Sequence, residues 1–285
     1  MESTLLRLAL ALVLLSWLWG PASAENVSFP DFASAIPGHK DVTYLDLARM
    51  VIPDLALNAD GFYHGGLPIE MRHVAGPDSG GSPPETSSLP NAAVLAIKAG
   101  GKDRLTMLFD LGDSPDSAEG YAVLALYDLT GGKPALLDAV NVAVDRSTYF
   151  REPNKLSVGA GDDILTTMST HFNSSQGYVI TPLIMVRNDN FELIDMIYTF
   201  DERLCTYSRK QDIAFKAIAG GRAHAAIKVT VTDATIPSGE SCDDAAPEAS
   251  SKDISVIYHW DKKASRYVAG SDALKRLSAE NEKHF

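Results

Sequence analysis

Apolar and polar positions alternate along most of the chain beyond Pro90, in short runs separated by turn residues. The stretch "AAVLAIKAGGKDRLTMLFDLG" contains two β-type runs on either side of a Gly-Gly-Lys-Asp turn, which is typical of a hairpin. Four later stretches repeat this pattern, with turns at residues 131–132, within 169–178, at 188–190 and at 262–265. In the last hairpin, we expect Trp260 to pack across the strands against Tyr267.

Five successive strand-turn-strand units predict a mainly β protein built as an antiparallel hairpin meander. A sandwich, an open barrel and a propeller-like arrangement all fit this pattern, because periodicity alone does not distinguish them.

A short amphipathic helix is predicted near the start of the mature chain, in "TYLDLARMVIPDL". Thr43 and Asp46 have the spacing of a capping box, with Asp in place of the usual Glu or Gln. Pro53 is expected to end this helix. A second short helix is predicted near the C-terminus, with Ser271 as its N-cap and an apolar stripe of leucines at 274 and 277.

The N-terminus has the features of a secretory signal peptide. The apolar run "LALALVLLSWLWG" is too short to span a bilayer comfortably, and Pro21 and the small residues Ala22, Ser23 and Ala24 follow it. We predict cleavage after Ala24, which leaves an exported protein, periplasmic or extracellular, without a stable membrane anchor. An uncleaved anchor is the alternative.

Composition shifts divide the remaining chain. We predict a signal peptide at residues 1–24, an N-terminal segment at 25–74, a Gly/Pro/Ser-rich loop at 75–90 and a β-rich main domain at 91–285. The loop, "AGPDSGGSPPETSSLP", is expected to hold no packed element.

Charge and motif content exclude several classes of function. The net charge of -12 repels phosphate backbones and anionic lipid surfaces, so we expect no nucleic-acid partner. The chain contains neither a G-x-G-x-x-G nor a G-x-x-x-x-G-K-[ST] motif, which disfavours nucleotide cofactors. The expected partner is an unidentified protein or small-molecule ligand.

The two cysteines, Cys205 and Cys242, predict one disulfide in an exported chain. Free thiols are the alternative. The spacing is unlike the C-x-x-C of redox pairs, so we expect the bond to be structural.

The stretch "STHFNSSQGY" combines a histidine with hydroxyls and amides between two apolar runs. Asn, Ser and Gly are also the residues that a hairpin turn requires, so a turn is sufficient to explain it. The catalytic alternative is a hydrolase in which His171 acts with a hydroxyl and a carboxylate. Its candidate partners are Ser169, Ser174, Asp162 and Asp163.

The acidic stretch "DLGDSPDSAEG" is a candidate calcium site, because Ca²⁺ prefers oxygen ligands on flexible loops. Its possible ligands are Asp110, Asp113, Asp116 and Glu119. Their spacing differs from the EF-hand pattern, and a solvated turn is the alternative.

Three hypotheses about function follow. The first is a non-enzymatic envelope or extracellular module that binds a ligand or partner through its turns, without a cofactor. The second is the hydrolase centred on His171. The third is a calcium-stabilised adhesion or matrix protein.

Overall fold

The computed structural model describes residues 26–77, 79–218, 223–238 and 245–284. The predicted signal peptide lies outside the described residues, and so does Cys242. Export and the Cys205 to Cys242 disulfide therefore stay predictions. Among the described residues, no helix has the length and apolar character needed to cross a membrane.

The described residues are mainly β, as the hairpin pattern predicts, and they include two short α-helices. The first elements are β1 (Ala35–Ile36), β2 (His39–Thr43), α1 (Tyr44–Ala48), β3 (Ala56–Leu57), β4 (Tyr63–Gly65), β5 (Arg72–His73) and β6 (Ser87–Leu89). The next four are β7 (Ala93–Ala99), β8 (Lys102–Asp113), β9 (Gly120–Asp128) and β10 (Ala135–Asn141).

A long meander completes the fold. Its strands are β11 (Ser147–Ser157), β12 (Asp163–Phe172), β13 (Gln176–Arg187), β14 (Asn190–Arg203), β15 (Tyr207–Ile218), β16 (Ala226–Pro237), β17 (Ser250–Asp261) and β18 (Arg266–Ala269). Helix α2 (Ala273–Asn281) and a 3₁₀ turn (Glu282–His284) follow.

Two sheets form the body of the molecule. The first has the strand order β5-β10-β9-β8-β7, and the second runs in chain order from β11 to β18. Strand β5 pairs with β10 in parallel, whereas the other strand pairs of both sheets are antiparallel. Two small sheets, β1-β2 and β3-β4-β6, belong to the N-terminal segment.

The N-terminal segment covers one face of the five-stranded sheet. Phe32, Leu47 and Ile52 pack there in one cluster with Phe109 and Tyr127. The buried Tyr127 hydroxyl donates a hydrogen bond of 3.0 Å to the carbonyl of Leu47, which satisfies both polar groups. The segment and the sheet therefore share one core.

The opposite face of this sheet packs on the eight-stranded sheet, so the two sheets form a sandwich. Leu95 and Leu124 from the first sheet meet Leu165, Ile184 and Phe191 from the second. Strand β9 is buried on both faces because the N-terminal segment covers one face of its sheet and the eight-stranded sheet covers the other.

The eight-stranded sheet curls around a third core. Val229 of β16 lies in one cluster with Leu274 and Leu277 of α2. The Tyr258 hydroxyl of β17 donates a hydrogen bond of 2.6 Å to Oδ2 of Asp195 on β14, although these strands are not neighbours in the sheet. The predicted apolar stripe of α2 is thus confirmed as the face that fills the curl.

Strands β14 and β15 separate soon after their turn. Both strands are fully described, and their backbones pair at only two positions. Beyond these, the side chain of Gln211 accepts a hydrogen bond of 3.0 Å from the amide of Phe200. Asp201 in turn accepts one of 3.0 Å from the amide of Gln211. Where β14 and β15 separate, hydrogen bonds from side chains to backbone amides therefore take the place of backbone-to-backbone hydrogen bonds.

The five predicted hairpins are confirmed as β7-β8, β9-β10, β12-β13, β13-β14 and β17-β18. Gly100 and Gly101 adopt φ of 57° and 75° in the first turn, and Asn188 and Asp189 adopt 52° and 59° in the fourth. These positive values explain why glycine and asparagine occur there. Trp260 pairs with its predicted partner across the last hairpin.

The first helix starts as predicted but ends early. The capping box is present, because Asp46 N donates to Thr43 Oγ1 over 3.2 Å and Thr43 N donates to Asp46 Oδ2 over 2.8 Å. The helix ends at Ala48 rather than at Pro53, since the amides of Met50 and Val51 bond three residues back and tighten the chain.

Two further expectations are wrong. The N-cap position of α2 is Asp272 rather than Ser271, and no side chain caps it because the Asp272 carboxylate pairs with Arg276. The loop at 75–90 does hold a packed element, since strand β6 pairs with β4 and buries Ser87 and Leu89. Three residues are too few to produce a periodic signal in the sequence.

Candidate functional site

The stretch around His171 is a hairpin turn. Oδ1 of Asn173 accepts hydrogen bonds of 3.0 and 2.8 Å from the amides of Ser175 and Gln176. Phe172 lies over Gly177, where an added Cβ would stand 2.6 Å from the phenyl ring. The local requirements of the turn therefore account for the amide and glycine in this segment.

The structure does not gather the predicted hydrolase residues. Asp163 starts β12 and His171 lies near its end, eight residues on, which is about 26 Å along a strand. Ser169 is buried and lies 2.8 Å from Thr148 Oγ1, while Ser174 is exposed in the turn. The hydrolase therefore stays an untested alternative.

Asp162 and Asp163 have structural partners at the far end of the sheet. Asp162 accepts a hydrogen bond of 2.8 Å from the amide of Gly100. Asp163 accepts bonds of 2.9 Å from Lys98 N and 2.5 Å from Ser157 Oγ. These contacts tie the β11-β12 link to the first sheet.

The carboxylate beside His171 is Asp145, whose Oδ1 lies 3.6 Å from His171 Nδ1. Asp145 lies in the link between β10 and β11, in the sequence "VAVDRS". Sequence reasoning missed it because no local pattern distinguishes it from other acids on connections.

An aromatic row extends from His171 across the sheet. Ring centroids lie 5.8 Å apart for His171 and Tyr178, 5.2 Å for Tyr178 and Phe200, and 5.2 Å for Phe200 and His284. Strand pairing sets this row, since His171 pairs with Tyr178 and Tyr178 with Phe200. Burial raises the pKa of Tyr178, and the charge of Glu202 adds to the rise.

His171, Tyr178 and Phe200 of this row line a small cavity of about 190 Å³. We call it the His171 cavity, and its walls include Asp145, His171, Tyr178, Phe200 and Asn281. It lies where β14 leaves β15, and the Asn281 amide of α2 donates to Gln211 there over 2.8 Å.

The predicted calcium ligands take separate partners. Burial raises the pKa of Asp110, which accepts hydrogen bonds from the amides of Gly112 and Thr148. The Ser82 hydroxyl and amide lower the pKa of Asp116 to about 2, and Ser114 adds to this.

Asp113 ends β8, and Glu119 closes the connection through its carbonyl, which accepts from the amide of Ser114. Within the described residues, no group of three or more His, Cys, Asp and Glu side chains has an arrangement that could hold a metal ion. Calcium binding stays a prediction.

A second and larger cavity, of about 620 Å³, lies at the other end of the sandwich. Five connections between strands meet around it and contribute Gly100, Asp162, Asp189, His224 and Ser265, and Trp260 of β17 adds to the wall. We call it the turn cleft, and define it by Gly100, Asp162, Asp189, His224 and Trp260. Sequence reasoning identified the turns but not their convergence, which depends on long-range packing.

His224 is held at the cleft by its neighbour. The amide of Ala225 donates to the carbonyl of Val158 over 2.7 Å, and the Tyr267 hydroxyl donates to the carbonyl of Ala225 over 3.0 Å. His224 itself has a φ of 57°, which is uncommon for a residue with a side chain. Such backbone strain occurs preferentially at functional sites.

The imidazole of His224 contacts Trp260, with ring centroids 3.8 Å apart and the ring planes tilted by 44°. Trp260 also meets Tyr267 edge-on at 5.2 Å, the pair that the hairpin pattern predicts. Nδ1 of His224 is buried without a hydrogen-bond partner among the described residues, 3.7 Å from Oδ2 of Asp162. An unsatisfied polar atom of this kind calls for an explanation.

Charges of both signs surround the cleft. Lys102 and Arg187 line it together with Asp162 and Asp189. Asp189 is held by the buried Arg104, whose Nη2 donates to its Oδ1 over 2.9 Å. The walls therefore combine an indole face with fixed hydrogen-bonding groups.

Comparison with protein-family models, with curated proteins and with solved structures found no match to this chain.

Proposed function

We propose that this protein is an exported, non-enzymatic binding module whose ligand occupies the turn cleft. The observation that carries the proposal is the placement of His224 and Trp260, whose rings lie in tilted contact at 3.8 Å on the wall of a cavity of about 620 Å³. Ligand sites typically combine an apolar or aromatic wall with a few fixed polar groups, and the cleft has this composition.

The chemistry of the walls supports a saccharide as the ligand. An indole face packs against the C–H face of a sugar ring, while planar carboxylates and imidazoles hydrogen-bond to its hydroxyls. Asp162, Asp189 and His224 contribute such groups to the lining of the cleft. The mixed charges of the walls suit a neutral ligand that both donates and accepts hydrogen bonds.

Tryptophan fluorescence tests the proposal directly. The sequence has three tryptophans, and two of them, Trp17 and Trp19, lie in the predicted signal peptide. In a chain cleaved after Ala24, Trp260 alone reports emission. We expect maltose, cellobiose or N,N′-diacetylchitobiose to shift or quench this emission saturably. Unchanged emission with all three disaccharides would contradict the saccharide proposal.

A variant of His224 links the signal to the cleft. His224→Asn should weaken binding about tenfold, because it removes the imidazole but tolerates the positive φ. His259→Asn is the matched control, since His259 is next to Trp260 in β17 but exposed on the alternate face. Equal losses in both variants would argue against the cleft as the binding site.

A further inference from the structure

The His171 cavity has a chemistry different from that of the turn cleft. Its walls include the rings of His171, Tyr178 and Phe200, of which Phe200 is fully buried. Asp145 and Glu282 also line it. Within the described part of the chain, its lining contains no lysine or arginine. An aromatic surface thus carries two carboxylates, of which Asp145 lies 3.6 Å from the imidazole of His171.

The negative charge of Glu282 acts on the cavity wall. Burial raises the pKa of the Tyr198 hydroxyl, and the negative charges of Glu282 and Glu119 raise it further. Asp145 is mostly buried, with 13 % of its side chain exposed, so solvent screens it weakly. The cavity therefore favours positive charge.

Aromatic rings attract cations through their negative faces, and the attraction is larger where water is excluded. A metal ion would need several oxygen or nitrogen ligands at close range, and this lining is mainly apolar rings. An organic ammonium ion instead contacts rings with its alkyl groups and needs only a nearby carboxylate. The volume of about 190 Å³ suits an ion of choline size.

We propose that the His171 cavity binds a small organic ammonium ion, with Tyr178 and Phe200 as its aromatic walls and Asp145 and Glu282 as its counter-charges. This site is separate from the turn cleft, and it does not depend on the function proposed for that cleft.

Choline and its uncharged isostere 3,3-dimethylbutan-1-ol test the proposal. The two probes have the same shape, so their difference in affinity isolates the charge. Isothermal titration calorimetry on the purified protein, at physiological ionic strength, should show choline binding about tenfold more tightly. Equal affinities would overturn the proposal, because they would reveal a merely apolar cavity. Absence of choline binding would overturn it as well.

Two variants assign the binding to this cavity. Asp145→Asn should reduce choline affinity about tenfold, and Glu282→Gln about threefold because Glu282 is exposed. Neither should alter affinity for the isostere. Glu280→Gln is the matched control, since Glu280 is exposed at the end of α2, just before the 3₁₀ turn that holds Glu282, and does not line the cavity. Unchanged choline affinity in both Asp145→Asn and Glu282→Gln would place choline elsewhere and refute this site.

Discussion

At the residue scale, the two cavities depend on side chains that no sequence pattern singles out. Asp145 approaches His171 from a link between strands, and His224 reaches Trp260 from another. Histidine and acids of this kind are common on loops, and their partners lie far away in sequence. The sequence shows these histidines and acids, but it does not show that Asp145 contacts His171 or that His224 contacts Trp260. Those contacts form only when the sheets pack.

The residue Asp233 illustrates how a buried charge is stabilised. Burial raises its pKa, but hydrogen bonds and the charge of Arg209 outweigh this and leave the pKa below its ordinary value. Gln211 also donates to it over 3.2 Å and connects it to Asn281. The ionised form of Asp233 therefore contributes to stability.

We expect Asp233→Asn to lower the free energy of unfolding by about 2 kcal/mol at neutral pH, because it leaves Arg209 without its carboxylate. A lowered pKa stabilises the fold above the ordinary value near 4 and loses this effect as pH falls through the folded value. Urea unfolding at several pH values checks this. A difference from the wild type that persists undiminished in acid would contradict the assignment.

At the element scale, local signals predict the fold well. The turn glycines at 100 and 101, the asparagine at 188 and the box of Thr43 and Asp46 each act within a few residues, so the sequence alone reveals them. The end of α1 and the strand β6 depend on packing partners outside the segment. These are the features that local pattern misses.

The capping box of α1 provides a test at this scale. Thr43→Ala removes the acceptor for the amide of Asp46 and should destabilise the protein by about 1 kcal/mol. Thr43→Ser retains the hydroxyl and serves as the matched control, with an expected effect well below that. Chemical denaturation monitored by circular dichroism compares them. Equal destabilisation by both substitutions would mean that the methyl group, rather than the cap, matters.

At the scale of the whole molecule, three cores stack in sequence from the N-terminal segment to α2. The meander pattern correctly predicts which strands are neighbours. It does not predict that the molecule combines a sandwich of two sheets with a sheet that curls around its own core. Their combination could not be predicted because the alternation of one strand does not reveal which layer covers it. In the sequence, only the continuous apolar run of β9 indicates a strand that is covered on both faces.

The predicted disulfide acts at this same scale. Cys205 lies in the turn between β14 and β15, where the two halves of the large sheet are joined. A bond to Cys242 would constrain a long loop of the unfolded chain, and the entropy model gives about 4 kcal/mol. We expect reductant to lower the melting temperature of the oxidised protein in a thermal scan.

A variant with Ser at both cysteine positions controls for other effects of the reductant. Its melting temperature should not respond to reductant. A wild-type protein that melts identically with and without reductant would show that the thiols are not bonded.

The opening between β14 and β15 also affects which substitutions the sheet tolerates. Elsewhere in the sheet, the strands pair through backbone amides and carbonyls, which every residue except proline supplies. The hydrogen bonds between those strands therefore do not depend on which side chain is present. At Asp201 and Gln211, the bonds to backbone amides come from side chains. Beyond the two positions where the backbones pair, the joint between the halves therefore depends on two individual codons. A single nucleotide change at either codon can remove one of its hydrogen bonds, an effect that elsewhere in the ladder requires a change to proline.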